Sequence, residues 1–195
     1  MKILIIEGIV TSGKSSLIEK LSELLSDKQL AVFGEPNTHI PIMDNPNGLH
    51  VEFFKSLIAD AVEVNADLTI FDRFHLTQAF RAKVSIGGYS EIEDLLAKQK
   101  TLVVYLRVDE SAIADRIRLT AERRDKDPAE HFQWGEYFKT KGKSFDEIAK
   151  HYATQQRNHM ELLKKSKLKG RIFNTTNHEY KAIANQIINE WLNQT

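Results

Sequence analysis

The sequence predicts an α/β fold with a mainly parallel sheet, and three observations support this prediction. Short runs of apolar, β-branched residues alternate with longer segments whose apolar residues recur at helical spacing. The apolar runs are nearly continuous, as expected of strands that are buried on both faces of a parallel sheet. The 195 residues are 42% hydrophobic and 28% charged, which is typical of a globular protein. We therefore expect a single domain over residues 1–195.

Five apolar runs are predicted to be strands. The clearest is the first, because Ile3 to Ile6 contains only isoleucine and leucine. The predicted strands are residues 3–6, 30–33, 68–71, 102–106 and 171–173. Each run is too short for an ordinary helix of a globular protein, which favours a strand in every case.

Amphipathic segments between these strands are predicted to be helices. Leu17, Leu21 and Leu24 share one face of the first helix. The other predicted helices cover residues 51–62, 75–84, 92–96, 110–117, 145–163 and 183–191. Asp109 is expected to cap one of them, and capping boxes are expected at Ser144–Glu147 and Thr176–Glu179.

Two polar segments interrupt this alternation. Residues 34–48 contain three of the four prolines and are predicted to be a long loop. Residues 119–143 are polar and charged, with Pro128 and Gly135, and are predicted to form a lid or a loop with short helices. Loops of this length within a compact domain usually have a function.

The composition excludes several classes of protein. The chain has no cysteine, so disulfide frameworks, thiolate catalysis and thiolate metal sites are excluded. No run reaches the roughly 18 apolar residues of a membrane helix, and the run ended by Glu7 is too short for the core of a signal peptide. The 27 basic and 27 acidic side chains balance, which gives no overall attraction for nucleic acid. We therefore expect a cytoplasmic protein with no membrane or nucleic-acid partner. Whether the protein forms a homodimer stays an open question.

The turn after the first predicted strand carries the most specific motif. Gly8 to Ser15 matches the phosphate-binding pattern G-x-x-x-x-G-K-[ST] in full, between a strand and a helix. The glycines let successive N–H groups wrap an anion, and the helix N-terminus adds the positive end of its dipole. Lys14 is expected to reach the β- and γ-phosphate oxygens, and the Ser15 hydroxyl to ligate Mg²⁺. We thus expect a nucleoside triphosphate and Mg²⁺, bound by Gly8, Thr11, Ser12, Gly13, Lys14, Ser15 and Ser16.

Charged residues follow the third and second predicted strands, and ligands gather at the carboxyl ends of parallel strands. Asp72 is expected to hold a Mg²⁺-bound water or orient an acceptor, and Arg73 to bind an acceptor phosphate or stabilise the charge in transfer. Glu35 is expected either to take a proton from an acceptor hydroxyl or to form a hydrogen bond with a sugar or a loop. The structural alternatives are a helix-capping ion pair for Asp72 and Arg73 and a solvated turn residue for Glu35.

An arginine-rich stretch follows the fourth predicted strand. Its cations are Arg116, Arg118, Arg123, Arg124 and Lys126. At least one is expected to bind phosphate, because phosphoryl transfer needs cations that close over the γ-phosphate. Arg124 is our catalytic candidate, whereas Arg116 is expected to pair with Asp115 or Glu122; a solvated helix end is the alternative for each arginine.

Two further groups are candidates for contacts with a base. One group consists of the aromatic residues that flank the expected acceptor pocket, namely Phe53, Phe54, Phe74 and Phe80. Aromatic residues at helical spacing belong mostly to cores. The other group follows the fifth predicted strand and consists of Asn174, Thr175 and Thr176. These are also ordinary turn and capping residues.

Together these residues resemble the thymidylate kinase group of P-loop kinases and the related deoxynucleoside kinases. The resemblance rests on the loop 8–15, Glu35-Pro36, Asp72-Arg73 with the aromatic Phe74, and the arginine-rich stretch, in this order along the chain. It implies a P-loop NTPase fold with three α/β/α layers, a five-stranded parallel sheet of order 2-3-1-4-5, and a lid. It also implies ATP–Mg²⁺ as donor and a nucleoside or nucleoside monophosphate as acceptor.

The resemblance also assigns roles to individual residues. The arginine that matches Arg73 contacts the acceptor, and the glutamate that matches Glu35 is the general base of deoxynucleoside kinases. This chain continues with Asn37-Thr38-His39 where thymidylate kinases usually carry glycines. We expect transfer to a dTMP-like monophosphate; the alternatives are a deoxynucleoside kinase with Glu35 as base, or a regulatory NTPase without a small-molecule acceptor. The expected catalytic residues are Lys14, Glu35, Asp72, Arg73 and Arg124, with Ser15 and Asp72 at the metal.

Overall fold

The computed structural model describes residues 1–126 and 133–194 and confirms the α/β fold. In this part of the chain five parallel strands form one sheet: β1 (Lys2–Gly8), β2 (Leu30–Phe33), β3 (Leu68–Asp72), β4 (Lys100–Arg107) and β5 (Lys169–Asn174). Their order is β2-β3-β1-β4-β5, as the resemblance implies. All five predicted strands are therefore present, with bounds close to those predicted.

Helices connect the strands on both faces of the sheet. They are α1 (Lys14–Leu24), α2 (Glu35–Thr38), α3 (Val51–Val64), α4 (His75–Ala82), α5 (Ser90–Ala97), α6 (Glu110–Arg124), α7 (Trp134–Lys139), α8 (Phe145–Lys165) and α9 (Tyr180–Ile187). Short 3₁₀ turns cover Ile40–Ile42 and Ile86–Tyr89, and a π turn covers Ile188–Leu192. None of the helices within residues 1–126 and 133–194 has the length and apolar character needed to cross a membrane.

Each face of the sheet has its own core, because successive side chains of a strand point to opposite faces. On one face, Ile3, Phe54 and Phe74 belong to a buried cluster that includes residues of α3, α4 and α5. On the other face, Leu4 and Ile6 pack with α1 and α9. A third cluster joins α6, α7 and α8. The result is the expected three-layer α/β/α arrangement, in which Phe54 and Phe74 are core residues.

The strand register brings the candidate residues to one edge of the sheet. Gly8 at the end of β1 lies beside Leu106 of β4, and Ile6 lies beside Asp72 of β3. In the same way the last residue of β2 lies beside Phe71. The segments that follow β1, β2 and β3 therefore begin in one region, and these segments carry the predicted site.

Two segments differ from their predicted structure. Residues 34–48 are not a continuous loop, because α2 and the 3₁₀ turn at Ile40–Ile42 lie within them. Pro36 occupies the first turn of α2, where the missing N–H of proline costs no helical hydrogen bond. Residues 119–124 continue α6 rather than starting a lid, and α7 follows later. Residues 127–132, which also belong to the predicted lid, lie outside the described residues.

The capping predictions have different outcomes. The Ser144 hydroxyl accepts a hydrogen bond from the Glu147 N–H at 3.2 Å, so the predicted cap of α8 is confirmed. The capping box at Thr176–Glu179 is wrong, because α9 begins at Tyr180 and the Thr176 hydroxyl accepts a hydrogen bond from the Asp109 N–H at 2.8 Å instead. Asp109 precedes α6 as predicted, but its side chain does not cap the helix.

His159 on α8 is a polar residue that lies within the core. Its ring centroid is 5.1 Å from that of Phe80 and 5.8 Å from that of Tyr105, both in edge-on contact. The residue is fully buried, and neither ring nitrogen has a hydrogen-bond partner in the part of the chain that the structure describes. Burial, assisted by the charges of Arg73 and Lys14, lowers the pKa of His159 to about 3. The folded protein therefore keeps this ring neutral at moderately acid pH.

Replacing His159 by leucine should reduce the loss of stability on acidification. The unfolded chain binds a proton at this ring near its ordinary pKa of 6.5, whereas the folded chain does not until a pKa of about 3. The free energy of unfolding therefore falls as the pH drops below 6.5, by about 1.4 kcal/mol per pH unit for one such histidine. Urea unfolding of both proteins at about pH 7 and about pH 5 measures the difference. An equal loss of stability in His159→Leu and the parent protein would contradict this expectation.

Candidate active site

A cavity of about 810 Å³ lies at the carboxyl edge of the sheet. Its walls come from the loop after β1, the segments after β2 and β3, helices α6 and α7, and the start of α9. The residues predicted to be catalytic all line it: Lys14, Glu35, Asp72, Arg73 and Arg124. The fold thus brings together side chains that are far apart in the sequence.

Glycines are required at two positions of the turn between β1 and α1. Gly8 has a φ of 155° and Gly13 a φ of 89°, in the region of backbone conformation that favours glycine. A Cβ atom at Gly8 would lie 2.9 Å from the carbonyl oxygen of Leu106, and one at Gly13 would overlap the ring of Tyr180. The tight loop between strand and helix therefore excludes larger residues at both positions.

Most of the residues predicted to bind the donor line the cavity. They are Thr11, Gly13, Lys14, Ser15 and Ser16. Gly8 and Ser12 are buried within the loop. The Gly8 carbonyl accepts a hydrogen bond from Arg73 Nη1 at 3.1 Å, and the Ser12 carbonyl accepts one from Thr175 Oγ1 at 2.9 Å. These two residues therefore connect the loop to the neighbouring segments.

Lys14 begins α1, and its side chain turns back across the loop. Its Nζ donates a hydrogen bond to the Ile9 carbonyl at 3.3 Å. Burial, followed by the nearby Arg73 cation, lowers the pKa of Lys14, while Asp72 and Glu35 oppose this shift. A buried ammonium group in this position gains from an added anion, and a phosphate group supplies one.

Arg73 has a left-handed backbone conformation with a φ of 63°, which is uncommon for an arginine. Its N–H donates to the Ile6 carbonyl at 3.0 Å, and its Nε donates to Glu35 Oε1 at 2.6 Å. Such backbone conformations persist where surrounding contacts fix them, and they occur often at functional sites. These contacts hold the guanidinium of Arg73 at the cavity wall beside Glu35.

The ion pair between Glu35 and Arg73 keeps both side chains ionised. Burial raises the pKa of Glu35, but Arg73 and Lys14 together outweigh it and hold this pKa at about 2. Burial also acts to lower the pKa of Arg73, but Glu35 and Asp72 raise it above its usual value. Glu35 is consequently a weak base at neutral pH while it is paired with Arg73.

Asp72 lines the cavity with its side chain largely buried. The residue is 6% exposed, and its Oδ1 has no hydrogen-bond partner among residues 1–126 and 133–194. Burial raises the pKa of Asp72, while Lys14 and Arg73 oppose the shift. The Ser15 hydroxyl lines the same cavity. A carboxylate oxygen and a hydroxyl are the oxygen ligands that Mg²⁺ takes directly or through water, so both residues fit the predicted metal.

Glu7, at the end of β1, anchors the connection between β3 and α4. It is fully buried, and its Oε1 accepts hydrogen bonds from the Phe74 N–H at 2.9 Å and the Thr77 N–H at 3.3 Å. Its Oε2 accepts a hydrogen bond from the Thr77 hydroxyl. Burial raises the pKa of Glu7, and these hydrogen bonds oppose the shift. From the sequence Glu7 only ends an apolar run; a charged residue that continues a buried strand is the signal that identifies such an anchor.

The arginines of α6 differ in their surroundings. Arg116 is buried and donates hydrogen bonds to the Thr11 carbonyl, at 2.9 Å, and to carbonyls of the β5–α9 connection. The expected pairing of Arg116 with Asp115 or Glu122 is wrong. Arg118 pairs with both acids instead, at 3.4 Å and 3.1 Å, because they lie three residues before and four residues after it on the exposed face of the helix.

Arg124 lies at the end of α6 in contact with α7. Its guanidinium carbon is 4.4 Å from the ring centroid of Trp134, and both residues line the cavity together with Arg123 and Tyr137. The Asp125 carboxylate accepts a hydrogen bond from the Trp134 N–H at 2.7 Å. The end of α6 and the start of α7 are thereby joined at the cavity. The aromatic members of this group were not candidates from the sequence, where only the arginines stand out.

The cavity wall after β5 is formed by residues slightly further along the chain than residues 174–176. His178 and Tyr180 line the cavity, whereas the Thr175 side chain is buried against the phosphate-binding loop. His178 Nδ1 lies 3.2 Å from the Tyr180 hydroxyl, and its Nε2 lies 3.3 Å from Arg116 Nη2. Sequence position alone indicated the right connection but not the residues that face the cavity.

Comparisons with known proteins show what this chain is similar to. No model of a protein family matches the sequence, and no curated protein does. Among solved structures, the YorR protein of Bacillus subtilis, in complex with phosphorylated GDP, is 21% identical over 95% of this chain and 93% of its own, with a TM-score of 0.63. Shikimate kinase of Bacteroides thetaiotaomicron is 12% identical over 95% and 96% of the two chains, with a TM-score of 0.58. Deoxyadenosine kinase of M. mycoides with bound dCTP is 18% identical over 96% and 98%, with a TM-score of 0.51.

These likenesses extend over nearly the whole of each chain. At 12–21% identity they show the fold, which is that of the P-loop kinases. The fold that the resemblance implies is confirmed, and the thymidylate kinase subtype stays a prediction. The reaction must be argued from the side chains of the cavity.

Proposed function

We propose that this protein transfers the γ-phosphoryl group of ATP, with Mg²⁺, to a nucleoside monophosphate, with residues 1–195 acting as one domain in the cytoplasm. The observation that carries the proposal is the ion pair between Arg73 and Glu35, in a cavity also lined by Thr11, Gly13, Lys14 and Ser15 of the phosphate-binding loop. From the resemblance to thymidylate kinases we propose that a dTMP-like monophosphate is the preferred acceptor.

The loop and Lys14 support a nucleoside triphosphate as donor. The N–H groups at the start of α1 and the buried ammonium of Lys14 offer positive charge to β- and γ-phosphate oxygens. Two of the solved structures above carry guanine or cytosine nucleotides, which is consistent with a nucleotide in this fold. Arg124 and Arg123 lie at the cavity wall and would screen charge on the group in transfer.

The state of Glu35 supports a phosphate rather than a hydroxyl as the attacking group. A neutral hydroxyl must lose its proton, which requires a base whose pKa is near the working pH. Arg73 and Lys14 hold the pKa of Glu35 at about 2, so it accepts a proton poorly. A phosphate monoester is already ionised at neutral pH and needs no such base. Arg73 is placed to bind its oxygens.

The chain itself would contribute positioning and charge neutralisation rather than covalent chemistry. Ser15 and Asp72 would hold Mg²⁺, which neutralises phosphate charge when it is bound. Lys14 would orient the donor phosphates, and Arg73 would orient the acceptor. Arg116 would fix the loop itself, because it ties the Thr11 carbonyl to the β5–α9 connection.

Coupled release of ADP, measured over a panel of nucleoside monophosphates, nucleosides and other small acceptors, tests this proposal. We expect turnover with at least one deoxynucleoside monophosphate and formation of one diphosphate per ADP. Slow hydrolysis of ATP without any phosphorylated product would contradict the proposal and favour a regulatory NTPase.

Glu35→Gln distinguishes a monophosphate acceptor from a nucleoside acceptor. The amide oxygen still accepts a hydrogen bond from Arg73, but it cannot act as a base. With a phosphate acceptor we expect kcat to fall less than about tenfold. A nucleoside kinase that uses Glu35 as its base should instead lose about 10²–10⁴-fold, and such a loss would overturn the proposed acceptor.

Glu63→Gln is the matched control for this measurement. Glu63 lies on the exposed side of α3, away from the residues that line the cavity, and loses the same charge. Its kcat should equal that of the parent protein, so any difference between the two variants reports the site.

A further inference from the structure

His39 is a residue of the cavity that has no part in the mechanism above. It follows α2 directly, and its side chain lines the cavity together with Glu35. From the sequence it is only a departure from the glycines of thymidylate kinases. The turn that follows, Ile40–Ile42, fixes its backbone at this position.

Arg81, in the last turn of α4, contacts the ring of His39. Its Nη1 lies 3.3 Å from Nδ1 and 3.2 Å from Nε2 of this ring. Within residues 1–126 and 133–194, no carboxylate lies within ion-pair distance of Arg81, whereas Arg73 is paired with Glu35. Burial lowers the pKa of Arg81, Tyr137 opposes this shift, and the Arg73 cation adds to it. A partly desolvated guanidinium without a carboxylate is favourable for binding an anion.

These surroundings make His39 a neutral hydrogen-bond donor. Burial lowers the pKa of His39 to about 4, and the charges of Arg73, Arg81 and Lys14 add to this shift against the opposing effect of Glu35. The neutral ring carries one N–H group, and Arg81 Nη1 lies almost equally far from both ring nitrogens, so the guanidinium packs against the ring. That N–H group is a donor for an oxygen atom of a ligand.

The charges at this end of the cavity do not cancel. Lys14 and Arg73 line the cavity and Arg81 contacts His39, so three cations stand against the carboxyl groups of Glu35 and Asp72. The excess of positive charge favours a ligand that carries negative charge, and a neutral nucleoside offers none.

We infer that His39 and Arg81 form a second anion contact of the acceptor site, in addition to Arg73, and that they select acceptors carrying a phosphate monoester. The inference rests on the proposed function and identifies the acceptor by its charge rather than by its base. His39 donates its N–H to a phosphate oxygen, and Arg81 fixes the orientation of the ring. His39 is thus a contact residue, and Arg81 is a positioning residue that also supplies charge.

Four variants test this inference on the monophosphate that the parent protein phosphorylates best and on the corresponding nucleoside. Arg81→Gln and His39→Phe remove the guanidinium and the ring donor, whereas Arg81→Lys and His39→Asn keep a charge and a donor. We expect the first two to raise the KM for the monophosphate about tenfold or more, with kcat and the KM for ATP within about threefold. The Kd for the nucleoside, measured as binding, should not change, so selectivity for the phosphate falls by the same factor. The two conservative variants should recover part of the loss.

Arg118→Gln is the matched control, because it removes an exposed guanidinium on α6. A KM for the monophosphate in Arg81→Gln equal to that of Arg118→Gln overturns the inference. A parallel change in kcat, in the KM for the monophosphate and in the KM for ATP also overturns it, because a general distortion of the site would produce such a change. If Arg81→Gln does not fold, the comparison of His39→Phe with His39→Asn decides. Absence of any phosphorylated product with the parent protein refutes the proposed function, whereas an unchanged KM in an active variant refutes only this inference.

Discussion

Substitution of Lys14 by methionine is expected to reduce kcat by about 10²–10³-fold, because the ammonium group is the one cation placed by the loop itself for the transferring phosphate. The same substitution should not lower the free energy of unfolding in the absence of nucleotide. Burial and the repulsion of Arg73 lower the pKa of Lys14, so its charged form is unfavourable in the folded protein. Methionine has a similar length and no charge. ADP release and thermal unfolding measure the two effects.

Lys20→Met is the control for this prediction. Lys20 lies on the same helix, α1, and forms an exposed ion pair with Glu23 at 2.7 Å. The substitution of Lys20 should leave kcat unchanged and alter the free energy of unfolding little. Retention of kcat within about tenfold in Lys14→Met would argue against phosphoryl transfer at this loop.

Substitution of Glu7 by leucine should destabilise the protein by about 3–5 kcal/mol. It leaves the N–H groups of Phe74 and Thr77 and the Thr77 hydroxyl without their acceptor in a fully buried position. Arg73 immediately precedes Phe74, so the same change releases the backbone that positions its guanidinium. Urea unfolding measures the loss of stability, and the KM for the acceptor measures the displacement of Arg73.

Glu7→Gln separates the hydrogen bonds from the charge. The amide keeps an acceptor oxygen, and because burial already raises the pKa of Glu7, loss of the charge removes an unfavourable desolvation. We expect this variant to lose at most about 1 kcal/mol. An equal loss in Glu7→Gln and Glu7→Leu would show that the charge, rather than the hydrogen bonds, holds the β3–α4 connection.

The features that could be predicted from the sequence are those that depend on neighbouring residues. The phosphate-binding loop is recognisable because the strand, the glycines, Lys14 and the helix follow one another within a short stretch. The strands could be located because burial on both faces requires continuous apolar runs. Asp72 and Glu35 could be assigned to one site because parallel strands end at a common edge.

The features that could not be predicted depend on residues that are distant in the sequence. Whether Arg116 points inward is decided by the rotation of α6 against the phosphate-binding loop, and no local pattern encodes that rotation. The contact between His39 and Arg81 joins residues 42 positions apart. Glu7 is likewise an anchor only because Thr77 lies beside it in the fold. In each case the local sequence is compatible with several roles for the residue, and tertiary packing determines which role it has.

The central place of β1 in the sheet has a consequence for the synthesis of the chain. Its partners are β3 and β4, which begin at Leu68 and Lys100. At about 5–20 residues per second, β1 leaves the ribosome several seconds before either partner is available. During this interval its isoleucines and leucine, all fully buried in the finished sheet, lack their neighbours. We therefore expect the nascent chain, rather than the folded protein, to be the form that most needs chaperones against aggregation.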